Sequence, residues 1–178
     1  MQGLQLKRVP HGYLQPQADL SPRPGCPSSV PPATSHEMPS SFTTTHTVEF
    51  CETDMAGIVH FSNFYRWMEQ AEHSFLRSVG LTVSNHLDDG SIIGFPRVSA
   101  SCRFLSPAKF EDRLTVELRV QRIGVKSLTY DVLFSIDERP VAKGVLKTVC
   151  CRFRTGAPFE SIEIPDSYRC HFEEYSED

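Results

Sequence analysis

The sequence has no stretch approaching the roughly 20 apolar residues of a membrane-crossing helix, and its first residues lack the apolar core of about 7–15 residues that a secretory leader requires. A soluble, unsecreted, cytoplasmic protein with no membrane partner is therefore expected. Runs rich in lysine and arginine are also missing. Without one there is no electrostatic footprint for DNA or RNA, so no nucleic-acid partner is expected. The six cysteines, Cys26, Cys51, Cys102, Cys150, Cys151 and Cys170, contain no Cys-x-x-Cys, and two of them are adjacent. That pattern reads as reduced thiols rather than a zinc site or a disulfide frame. A glycine-rich phosphate loop is absent too, which leaves a Walker or Rossmann nucleotide site unsupported.

What is present suits one ordinary globular domain, with 39% hydrophobic and 22% charged residues over 178 positions. The net charge of −4 is unevenly spread. Residues 1–42 hold three Lys/Arg against two Asp/Glu, residues 43–155 fourteen against thirteen, and residues 156–178 one against seven. Eight of the thirteen prolines also fall in residues 1–42. Proline fixes φ and removes a donor, and few large apolar side chains there offset the entropy of ordering. The expected organisation is a Pro-rich disordered arm over 1–42, a folded domain over 43–155 and an acidic C-terminal tail over 156–178. In that tail, Ile162-Glu163-Ile164-Pro165 offers a short docking segment.

The domain opens with a β-rich run, Thr43 to Cys51, that ends in a tight loop marked by Asp54 and Gly57. A helix is predicted next. Phe64, Trp67, Met68, Ala71, Phe75, Leu76 and Val79 form one apolar stripe at helical spacing, with Ser62 or Asn63 placed to cap its start and Gly80 to end it. After a polar loop, Thr82 to Gly90, four strand-like segments follow. Leu114, Val116, Leu118 and Val120 alternate with polar residues, and Leu128, Tyr130, Val132, Phe134 and Ile136 do the same. Short turns at Gly124 and at Asp137-Glu138-Arg139-Pro140 make these neighbours hairpins, the last strand running from Val141 to Phe153. The order predicts an α+β fold in which a five-stranded antiparallel sheet wraps around one long central helix. A helix of about 17 residues is roughly 25 Å long, close to the span of five strands at about 4.8 Å each.

The run Phe50-Cys51-Glu52-Thr53-Asp54-Met55-Ala56-Gly57-Ile58-Val59-His60-Phe61-Ser62-Asn63-Phe64-Tyr65-Arg66-Trp67-Met68-Glu69 resembles the signature of the 4-hydroxybenzoyl-CoA thioesterase family of hotdog-fold acyl-CoA hydrolases. The likeness continues through Cys102-Arg103-Phe104-Leu105-Ser106-Pro107-Ala108-Lys109-Phe110-Glu111-Asp112-Arg113-Leu114 and covers about residues 43–155. It implies a hotdog fold and hydrolysis of an acyl-CoA to free acid and CoA, with no metal or redox cofactor. It also implies a homodimer or homotetramer joined edge to edge, its active sites at the interface. A non-catalytic hotdog module that binds acyl-pantetheine, or that only assembles, is the alternative.

The same resemblance implies that Asp54 acts either as nucleophile or as general base. A carboxylate in a loop beside Gly57 and ahead of a helix suits both tasks, although an Asx-turn or a cap is the commonest duty of a loop Asp. The amide near Phe61, at the positive end of the helix, is the implied oxyanion donor. Relatives that act on short or medium acyl chains often carry His where this chain has Phe61; here His60 stands one place earlier. His60 is read either as orienting water or the carbonyl, or as a packed aromatic. Glu69 is in register with a carboxylate that other hotdog branches use, and equally fits a helix-surface ion pair. Lys126 and Ser127 lie on a hairpin that in relatives is near CoA, and are read as phosphate contacts or as solvated turn residues.

Overall fold

The computed structural model describes residues 40–176; the arm expected over 1–42 lies, through residue 39, outside them. Strand β1 (Ser41–Thr47) begins two residues before the predicted boundary. Helix α1 (Ser62–Ser78) follows after a short 3-10 turn, and the chain then forms β2 (Ser84–His86), β3 (Ile92–Gly94), β4 (Arg97–Phe104), β5 (Arg113–Ile123), β6 (Ser127–Ile136), β7 (Arg139–Val149), β8 (Cys151–Phe153), β9 (Glu160–Ser161) and a four-residue helix, α2 (Asp166–Arg169).

Alternation carries the main sheet as predicted. Leu114, Val116, Leu118 and Val120 on β5, and Leu128, Tyr130, Val132 and Phe134 on β6, are all buried, while the residues between them are not. The strand order is β1-β5-β6-β7-β4, antiparallel throughout, so β1 pairs with a strand more than sixty residues later. Helix α1 lies against this sheet with Phe64, Trp67, Met68, Ala71, Phe75 and Leu76 buried, as the stripe requires. Close approach is possible because β7 carries Gly144, where a Cβ would stand 2.0 Å from the Met68 Sδ.

Three details correct the sequence reading. A second sheet exists, in the order β2-β3-β8-β9. The strand predicted from Val141 to Phe153 breaks at Cys150 between β7 and β8, and β8 pairs with β3, which Phe95-Pro96 separates from β4, placing Ile92 opposite Phe153. Proline lacks the donor a continuous ladder needs, which places the separation of β3 from β4, while the Pro96 carbonyl still accepts from Val149 N–H at 3.0 Å. Neither Ser62 nor Asn63 caps α1: Phe61 occupies that position without a side-chain cap. At the other end the Gly80 amide reaches Arg77 O (3.1 Å) and the Leu81 amide Leu76 O (2.8 Å), closing the helix with paired carbonyls. Finally, the segment set apart as an acidic tail sends Ile164, Tyr168 and Phe172 into the hydrophobic core, so its described part packs with the domain.

Candidate active site

The loop over residues 53–59 is closed on itself. Asp54 N–H donates to Ile58 O and Gly57 N–H to Asp54 O, both at 2.9 Å, and Thr53 bridges Val59 as an antiparallel pair. Gly57 takes φ +71°, a left-handed conformation that a side chain at this position would strain. The loop is pinned outside itself by Val59 N–H to Ala108 O at 2.8 Å. Within it, Asp54 Oδ1 accepts from Ala56 N–H at 2.8 Å, an Asx-turn, while Oδ2 has no hydrogen-bond partner among the described residues. The Asx-turn therefore occupies one oxygen of the carboxylate and leaves the other without a partner among the described residues.

Asp54 lines a cavity of about 580 Å³, together with Ile58, Val59, Phe61, Phe64 and residues 104–108. Its walls are apolar apart from Asp54 and Ser106, and Phe64 and Phe104 meet there with ring centroids 5.3 Å apart. The 105–108 wall is fixed by a residue the sequence reading missed. Arg139 donates from Nη1 to Ser106 Oγ at 2.6 Å and to Pro107 O at 2.9 Å, and the Ser106 hydroxyl donates to Pro140 O. At the start of α1, Phe61 N–H has no acceptor among the described residues. Donors of this kind at a helix N-terminus attract negative charge.

The other named residues stand apart from this cavity. His60 is exposed, with Nδ1 2.8 Å from Ser62 Oγ and its ring 4.6 Å from that of Phe61. Glu69 is half-exposed on α1, 3.0 Å from Arg97 Nη1 and 3.8 Å from His73. Lys126 Nζ donates to Ser161 O at 3.0 Å, and the Ser127 carbonyl accepts from Gly124 N–H at 2.7 Å. The structure brings Asp54 and Phe61 together, leaves Gly57 in the loop that presents Asp54, and holds Lys126, Ser127 and Glu69 elsewhere.

Two residues before Asp54 sits a carboxylate that sequence reasoning passed over. Glu52 Oε2 accepts from His46 Nε2 and from the Glu49 amide, both at 2.8 Å, and Oε1 accepts from Trp67 Nε1 at 3.2 Å. Burial works against its charge, but the hydrogen bond from His46, the Glu49 amide, the His46 charge and the Trp67 indole override it, so the carboxyl is held below its ordinary range. The acidic pair in the motif was the only sequence signal for it.

Among known proteins, the thioesterase-like superfamily matches residues 48–170. The chain belongs to that superfamily. It is 36% identical over 112 residues to a 1,4-dihydroxy-2-naphthoyl-CoA hydrolase of Nostoc punctiforme, covering 62% of this chain and 74% of that protein. Solved superfamily structures agree. A gentisyl-coenzyme A thioesterase superposes with a TM-score of 0.62 at 34% identity, covering 72% of this chain and 99% of the other. An Asp-to-Asn mutant of 4-hydroxybenzoyl CoA thioesterase in complex with 4-hydroxybenzoyl CoA superposes with a TM-score of 0.64 at 25% identity, covering 76% and 100%. The hotdog fold expected from the sequence is thus the fold of its relatives, built here from antiparallel sheets.

Proposed function

We propose that this protein hydrolyses an acyl-CoA thioester, with Asp54 as the reacting carboxylate and α1 as the central helix of a hotdog domain. The observation that carries the reading is Asp54 itself: held by one oxygen, free at the other, and lining a cavity whose volume suits a small-molecule site. As nucleophile, Oδ2 attacks the thioester carbon, the C–S bond breaks, CoA leaves as a thiolate that takes a proton from solvent, and water then opens the mixed anhydride to the free acid and restores the carboxylate. As general base, the same oxygen takes a proton from the water that attacks the thioester carbon; the C–S bond then breaks and the departing CoA thiolate receives that proton. In both routes negative charge builds on the carbonyl oxygen. The unpaired Phe61 amide at the helix start answers that charge, and one such donor is worth about 3 kcal/mol in a transition state.

The acyl group is read as aromatic. Phe61, Phe64 and Phe104 supply ring faces and edges, and the three relatives described above are named for hydroxylated aromatic acyl-CoAs. His60 borders the site through its contact with Phe61 and is assigned to orienting that helix start, with Gly57 giving the loop its turn. Lys126, Ser127 and Glu69 reach a substrate only through its extended CoA portion or through a second subunit. A second subunit is part of the proposal: among the described residues β4 is a sheet edge with no outer partner, with Val98 and Phe104 exposed, and pairing two copies there gives a homodimer, from which a homotetramer follows by a second contact.

The test is thiol release by wild type and Asp54→Asn protein across aromatic and aliphatic acyl-CoAs. Wild type is expected to prefer aromatic thioesters, and Asp54→Asn to lose at least about 100-fold in kcat, near 2.7 kcal/mol. Binding of acyl-CoA by both proteins with turnover by neither would instead make this a hotdog binding module.

A further inference from the structure

The hydrogen bonds of Asp54 itself all stay within the loop of residues 53–59, so Asp54 moves with that loop, which Thr53 ties back to Phe50 O. Its position relative to α1 is set where the loop joins the rest of the domain. On one side that is the Val59 to Ala108 hydrogen bond. On the other it is Glu52, where five hydrogen bonds converge. The side chain takes three, from His46 on β1, from the Glu49 amide and from Trp67 on the second turn of α1. The backbone carbonyl takes two more, from the His60 amide at 2.9 Å and from Asn63 Nδ2 at 2.7 Å on the first turn of α1. The His46 and Trp67 rings also contact each other, centroids 4.5 Å apart, so the carboxylate closes a three-member cluster.

Glu52 does not line the cavity, and its carboxylate contacts no residue that does. It joins the entry to the catalytic loop, strand β1 and the helix whose start carries the Phe61 amide. We propose that Glu52, braced by His46 and Trp67, is a positioning residue that fixes the Asp54 carboxylate relative to the start of α1. The inference rests on the thioesterase reading, because it assigns Glu52 no chemistry apart from that of Asp54. A reaction of this type depends steeply on such placement: a displacement of about 1 Å at the reacting group lowers rates by roughly 100-fold.

The carboxylate is required for a simple reason. Oε2 serves two donors and Oε1 a third, and all three point N–H groups at it. An amide of the same shape has one oxygen, so Glu52→Gln turns an NH₂ toward at least one N–H and breaks a tie without changing volume. Trp67→Phe removes only the indole donor and keeps most of the ring. His46→Gln keeps a polar side chain and removes the imidazole.

The experiment measures kcat and KM for an aromatic acyl-CoA with wild type, Glu52→Gln, Trp67→Phe and His46→Gln, each also made in the Asp54→Asn background, and follows thermal unfolding of all forms. Glu52→Gln is expected to lower kcat at least 10-fold with KM within two-fold, and the other two to lower it less. In the Asp54→Asn background none should lower the residual rate further, because there is no longer a carboxylate to place. A purely structural role predicts the opposite, an equal fractional loss in both backgrounds, and that result overturns the inference, as does an unchanged kcat in Glu52→Gln. If Glu52→Gln fails to unfold cooperatively, Trp67→Phe and His46→Gln decide by the same criterion. Failure of the underlying reading looks different: wild type and Asp54→Asn then turn over thioester equally, or not at all.

Discussion

At the N-terminal end of α1 the carboxylate of Glu52 accepts three hydrogen bonds from three parts of the chain, whereas beyond the helix midpoint Glu72 is fully buried with one oxygen on Arg97 and the other without a partner among the described residues. Arg97 itself is shared, since it also reaches Glu69 and lies 3.1 Å from the His73 ring. The hydroxyls of Tyr130 and Thr148, both fully buried, also lack partners among the described residues. Burial raises the Glu72 carboxyl above its ordinary range; the attraction of Arg97 opposes this without cancelling it, and the Glu69 charge adds to the rise. The same residue type against the same helix is therefore pushed in opposite directions. Burial favours the neutral acid at both places but far more at fully buried Glu72 than at partly exposed Glu52, and Glu52 also has three donors aimed at its oxygens.

The sharpest way to break this comparison is to remove the Glu52 acceptor outright. Glu52→Leu leaves the buried Trp67 nitrogen, the partly buried His46 nitrogen and the Glu49 amide without it, and should destabilise the fold by about 3 kcal/mol. The check is a lower urea midpoint with unchanged m. A loss below about 1 kcal/mol would show that water replaces the carboxylate freely, and the contrast with Glu72 would collapse.

A smaller change tests the other member. Met68 and Glu72 are one turn apart on the same face of α1, and Met68 Sδ lies where a Cβ on Gly144 would stand. Gly144→Ala must push Met68 aside or lift the helix from β7, at about 2 kcal/mol. If the helix lifts, water gains access to Glu72, and backbone amides in the middle of α1 should exchange faster than those near Glu52. Equal protection along the whole helix would mean that Met68 repacks alone.

How much of this was legible beforehand follows from the range of the interactions. The α1 stripe and the alternation in β5 and β6 are local periodicities, and both were readable. Asp54, Gly57 and Phe61 were reached through a contiguous motif, and the loop and cavity do contain Asp54 and Phe61. Glu72 was not legible. It stands between Ala71 and His73 at a position any helix surface could hold, and only Arg97, 25 residues away on β4, explains a charge there. Glu52 was hidden in the same way, because two of its partners, His46 and Trp67, come from different elements. The break at Cys150 was missed for a related reason. The segment from Val141 to Phe153 is apolar enough to read as continuous, and only the pairing of β3 with β8 shows that its end belongs to another sheet.

The gentlest test uses pH alone, because two oppositely shifted carboxyls give stability slopes of opposite sign. For Glu72 the folded value lies above the ordinary 4.5. The folded state then binds the proton more tightly, so the group's contribution is fully present below that value and is lost as pH rises through the raised one. Glu72→Gln abolishes this loss, so its stability relative to wild type should climb as pH rises through the raised value. For Glu52 the folded value lies below 4.5. Its contribution is present above the ordinary value and is lost as pH falls through the lowered one, so the deficit of Glu52→Gln should be largest at neutral pH and close on acidification. Melting temperatures of the two variants and wild type between pH 3 and 8 read both slopes in one series. Parallel differences would mean that Arg97 compensates Glu72 fully, making the unpaired oxygen inconsequential. Differences that diverge in opposite directions would show that burial and donor count together set which of the two carboxylates the fold keeps charged.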